Sequence, residues 1–110
     1  MHLAELTAAA ETVSRTYAAR HGIDRTDDWL VLKLTEEVGE FTQSYLARCG
    51  QTRHTATDEE LDARFRAELA DVLAQVLLIA SRFGVDLQQE VADKWLVHLD
   101  AAADATDRAT

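Results

Sequence analysis

Two short acidic runs hold most of the chemistry this chain can offer. Glu36, Glu37 and Glu40 fall in the run Glu36-Glu37-Val38-Gly39-Glu40, and Glu68 and Asp71 in Glu68-Leu69-Ala70-Asp71. Each run sets two acids three residues apart, which on an α-helix places them on one face, roughly 60° from one another. Glu36 joins the first patch within an arc of about 100°. Magnesium takes hard oxygen ligands in octahedral geometry, a few carboxylates completed by water and phosphate oxygens, and four carboxylates from two rigid helices match that demand. Without a cation, two carboxylates about 4 Å apart repel by roughly 4 kcal/mol at an intermediate dielectric, so an ion turns a penalty into affinity. Di-iron bundles use Glu-x-x-His on their helices, and that spacing does not occur here. A single Glu-x-x-Glu is most often a solvated helix face, and it is the five acids together that point to metal. Lys33 and Arg64 stand one turn before the two runs, placed to pair with Glu37 and Glu68 or to meet phosphate oxygens.

The elements that must position these acids are helices. Leu3, Leu6, Ala10, Val13 and Tyr17 recur at steps of three and four, predicting a first helix that ends near His21 and Gly22. Asp27 and Asp28 offer N-caps for a second helix from about Trp29 to Arg48, with Leu30, Leu34, Val38, Phe41 and Tyr45 as its apolar face. Residues 49–57 are small and polar and read as the one substantial loop. Asp58 is placed to cap a third helix reaching Arg82, with Leu61, Phe65, Leu69, Val72, Val76 and Ala80 inward. After Gly84, Asp86 is expected to cap a fourth helix and Gln89 to close a capping box, with Leu87, Val91, Trp95 and Leu99 inward. The alanine-rich tail over 101–110 is expected to fray. The fold expected is therefore all-α, a four-helix antiparallel bundle in a single domain spanning residues 1–110. So few large side chains per helix make a homodimer or homotetramer the expected state. On both helices the acids flank the apolar stripe, so the two patches can face each other.

Composition narrows the function further. The chain has 110 residues, no proline, four glycines and 47% hydrophobic residues, as a helical domain should. Twenty acids against eleven bases give a net charge of −9, which disfavours nucleic acid and anionic membrane as partners and requires a divalent cation if the ligand is a polyphosphate. Cys49 is the lone cysteine, so no disulfide or cysteine-based zinc site forms within the chain, and a reducing cytoplasm fits. It is expected to be buried or half-buried and inert, and His98 to lie in the core. Nothing in the sequence has the length or apolarity of a membrane span.

The run from Glu36 to Glu40, the 27 residues that follow, and Glu68-Leu69-Ala70-Asp71 together resemble the Glu-Glu-x-x-Glu … Glu-x-x-Asp signature of the MazG-like, all-α nucleoside triphosphate pyrophosphatases. Lys33-Leu34, the segment Gly84-Val85-Asp86-Leu87 and Lys94 extend the likeness from about Trp29 to Leu99. The resemblance implies magnesium, or manganese in its place, held by Glu37, Glu40, Glu68 and Asp71. It implies hydrolysis of a nucleoside triphosphate to its monophosphate and pyrophosphate, with Lys94 on phosphate. Many relatives carry Asn four residues after that lysine, where this chain has His98. Glu36 is then the candidate to position or deprotonate the attacking water. Lys33 is a further substrate contact, and Trp29 is placed either to stack on the base or to pack in the core. The alternatives are a phosphoribosyl-ATP pyrophosphohydrolase-like enzyme and a metal-free helical assembly module with solvated acidic faces.

Overall fold

In a computed structural model that describes residues 1–101, the chain forms four α-helices and, among those residues, no strand. They are α1 (Leu3–His21), α2 (Asp27–Arg48), α3 (Asp58–Phe83) and α4 (Leu87–Lys94), followed by a 3-10 turn at Leu96–His98. The expected fraying tail lies outside the described residues, apart from Ala101. Gly22 and Gly84 close α1 and α3 in the left-handed region with φ of 65°, a conformation that costs glycine nothing. The N-caps of α2 and α3 are threonines, not the expected aspartates. Thr26 accepts from the Trp29 N–H at 3.0 Å, and Thr57 from the Glu60 N–H at 3.2 Å. Asp27, Asp28 and Asp58 instead occupy the first turns, where negative charge meets the positive end of the helix dipole. Asp86 caps α4 by accepting from the Gln89 N–H at 3.1 Å, as expected. The capping box is not completed, because the Gln89 side chain donates to Asp93 instead.

α2 and α3 form a long antiparallel pair. Arg48 reaches Asp62 at 3.2 Å at one end, and Arg82 reaches Asp27 at 2.6 Å at the other. Between them Leu30 and Leu77 are fully buried, Leu61, Leu78 and Ala80 nearly so, and the Phe41 and Phe65 rings lie 5.2 Å apart. Gln75 is buried in the same seam, and its side-chain amide donates to the Leu30 carbonyl at 2.8 Å. α1 packs on α3 through Ala18 and is tied back to the α1–α2 connection by Glu11 and Arg25, both largely buried.

Beyond this pair the expected bundle is incomplete. α4 ends at Lys94, and Val91, Trp95 and Leu99 are exposed, Trp95 at 69%. Among the described residues it packs mainly on the turn that follows it, with Leu87 at its start half-buried beside a small cavity shared with Leu34, Val76 and Ile79. Leu6, Val13 and Tyr17 of α1, Val38 and Tyr45 of α2 and Leu69 of α3 are exposed where the periodicity put them inside, and so are Cys49 and His98. The radius of gyration is 17.7 Å, against about 13 Å for a compact domain of this length. No helix among the described residues is long and apolar enough to cross a membrane.

Candidate metal centre

Antiparallel pairing brings the middle of α2 against the first half of α3, and so sets the two acidic runs opposite each other. One carboxylate oxygen from each of Glu37, Glu40 and Glu68 lies within 4.8 Å of the other two. Oxygens bound to one magnesium at about 2.1 Å stand roughly 3 to 4 Å apart, so a shift of an ångström or less closes the set on an ion. Glu37 and Glu68 each hold one carboxylate oxygen, Oε2, that is buried and has no hydrogen-bond partner. A buried, unpartnered carboxylate oxygen is costly, and an oxygen-seeking cation is the ligand that removes the cost. The residues therefore fit a divalent ion.

The electrostatics agree. Burial, with the charges of Glu40 and Asp71 adding to it, pushes the Glu37 carboxyl above its usual range, and only Lys33 opposes the shift. Burial likewise raises Glu68, whose carboxyl also feels and contacts Asp71 and Glu40. Asp71 thus borders the group from one turn beyond Glu68, although it is exposed and not one of the three converging acids.

The other expected site residues separate into two sets. Lys33 lies on the rim, 3.6 Å from Glu37 and 3.4 Å from Glu36, and its ammonium is raised by the two carboxylates against the opposing effect of burial. Trp29, half-buried, shares with Lys33, Glu37 and Asp71 a groove of about 450 Å³ between α1, α2 and α3. Glu36 is not brought to the group. Its side chain is 57% exposed, turned away around α2, and engaged by Lys33. Lys94 sits exposed on α4, away from the α2–α3 seam. Periodicity missed Gln75, because a polar residue is not counted toward an apolar stripe. Its position one turn after Asp71 was the available signal.

No protein-family model, curated protein or solved structure matches the chain.

Proposed function

We propose that this chain is a magnesium-dependent nucleoside triphosphate pyrophosphatase of the MazG-like kind, acting as a homo-oligomer in a reducing cytoplasm. The observation that carries the reading is the convergence of Glu37, Glu40 and Glu68 with two buried carboxylate oxygens left unpartnered. Structural ion pairs do not explain that arrangement, since Lys33 reaches only Glu36 and Glu37 and sits on the rim.

A bound magnesium would supply charge neutralisation on the polyphosphate and acidify a coordinated water. Glu37, Glu40, Glu68 and Asp71 are the residues that would hold it. The reaction joins a water oxygen to the α-phosphorus and breaks the bond from that phosphorus to the α–β bridging oxygen. The bridging oxygen leaves with the electron pair on pyrophosphate, and the water proton passes to solvent. Glu40 is both a member of the group and solvent-facing, so it stands where water meets the site, whereas Glu36 acts only from the rim through Lys33. Trp29 and Tyr17 line the groove beside Glu37 and give a base an aromatic wall. Lys33, at the same edge, would supply a cation for the substrate's phosphates.

Incubation with a panel of ribo- and deoxyribonucleoside triphosphates and Mg²⁺, with products resolved by chromatography, tests the reading. Monophosphate and pyrophosphate in equal amounts support it. Orthophosphate release, or no turnover of any member together with indifference to Mg²⁺, refutes it in favour of the assembly module.

A further inference from the structure

Glu40 and Glu68 belong at once to the acidic group and to the wall of a second groove, of about 370 Å³, on the loop side of the α2–α3 pair. That groove is lined from the loop by Arg53 and His54 and from α3 by Arg64. Arg53 and Arg64 are exposed and, among the described residues, make no ion pair, in a chain with nearly two acids for every base. Arg64 stands four residues before Glu68, a spacing at which helical ion pairs ordinarily form, yet among the ion pairs of the described residues this one is not made. The acids therefore divide two unlike spaces: an aromatic groove holding Trp29 and Tyr17 on one side, and a basic groove on the other.

We propose that the basic groove binds the outer two phosphates of the substrate, the pair released as pyrophosphate, with Arg53 and Arg64 as its anion ligands. The inference rests on the pyrophosphatase reading and fixes the direction in which the nucleotide lies. Base and sugar occupy the Trp29 side, the α-phosphate sits at the acids, and the leaving group extends toward the loop. Guanidinium suits this task because its planar fork donates two parallel hydrogen bonds to phosphate oxygens. It also offsets the repulsion that Glu40 and Glu68 exert on an anion whenever part of their charge is left uncompensated. The loop at 49–57 thereby gains a role as the wall that receives the product.

Calorimetric titration of the full chain with inorganic pyrophosphate in excess Mg²⁺ tests the assignment, alongside titration with a nucleoside monophosphate. For R53A/R64A, pyrophosphate affinity is expected to fall at least tenfold and monophosphate affinity to stay within twofold, with R53K/R64K recovering part of the loss. In turnover assays the same variant should show a raised KM for triphosphate and weakened inhibition by pyrophosphate. Unchanged pyrophosphate binding by R53A/R64A, or equal loss of both ligands, overturns the proposal even if the wild-type chain hydrolyses triphosphates. Arginine-dependent binding of magnesium pyrophosphate by a chain that turns over no nucleotide sinks the enzyme reading and leaves the groove supported. Circular dichroism of both variants excludes unfolding as the cause.

Discussion

Glu68 shows how a single residue can be costly in the metal-free protein and yet suit the proposed ion. It holds a buried, unpartnered oxygen, and its carboxyl feels the charges of Asp71 and Glu40, so removing its charge relieves repulsion while deleting a proposed ligand. Glu68→Gln is expected to melt above wild type without Mg²⁺ and to lose most of the upward shift that Mg²⁺ gives wild type. Thermal melts with and without the ion measure both effects, and an ion-induced shift of wild-type size in the variant would remove Glu68 from the site. Asp71→Asn should shrink the shift less, because Asp71 borders the group without converging on it. Glu11 behaves in the opposite sense. Hydrogen bonding to the largely buried Arg25 holds its carboxyl below the usual range, so its contribution is complete above the unfolded-state value and is lost as pH falls through the folded one. Glu11→Gln should therefore destabilise the fold by about 2 kcal/mol at pH 7. That deficit should shrink in denaturant melts as the pH is lowered through the ordinary carboxylate range and on through the depressed folded-state value. The acids were legible in the sequence because three-residue spacing is itself a statement about a helix face. Helical periodicity alone does not separate Glu36 from Glu37, since one helical step decides which of two adjacent acids faces a neighbour, and the neighbour's position is a tertiary fact.

Among the elements, α2 and α3 were readable almost to the residue because their periodicity, their terminal glycine at position 84 and their polar loop agree. The caps moved by one position for a local reason: threonine and aspartate both cap, and where they are adjacent the second gains more from the dipole in the first turn. α4 was overextended because Val91, Trp95 and Leu99 keep helical spacing whether or not anything covers them, and periodicity reports an amphipathic face without naming its partner. Gly39 poses a different question, since a glycine inside a helix costs up to 1 kcal/mol relative to alanine. A Cβ added there meets nothing within 4 Å. Gly39→Ala should thus raise the melting temperature by a few degrees with the fold unchanged, and a drop would mean that another surface approaches this point of α2.

At the scale of the whole molecule several of the large side chains left uncovered share one flank of the α2–α3 pair. Val31, Val38 and Tyr45 recur every seven residues along α2, all exposed. At about 100° per residue they lie on the flank away from Lys33, Glu37 and Glu40. Leu69 and Leu73, also exposed, lie on α3 away from Asp71, Ala74 and Leu78, the residues that line the α1-side groove. One flank of the α2–α3 pair is thus covered by α1 and the other presents exposed apolar side chains; Trp95, Leu96 and Leu99, beyond α4, are exposed as well. Monomers rarely leave faces of this kind in water, and the radius of gyration lies several ångströms above the compact value. The proposed homo-oligomer would seat a second copy of the chain on this face, with the symmetry most homo-oligomers adopt. Light scattering in line with gel filtration should therefore give a mass that is a multiple of the 12.2 kDa chain. Leu69→Asp combined with Val38→Asp should reduce that mass to one chain and lower the melting temperature, because charge is placed where apolar surface has to be buried. Since Phe65 of this flank packs on Phe41 directly after Glu40, disassembly should also loosen the acidic group. The response to Mg²⁺ should weaken in the double variant although no acid has been changed, and a wild-type mass of 12.2 kDa with a full magnesium response would show that one chain is sufficient.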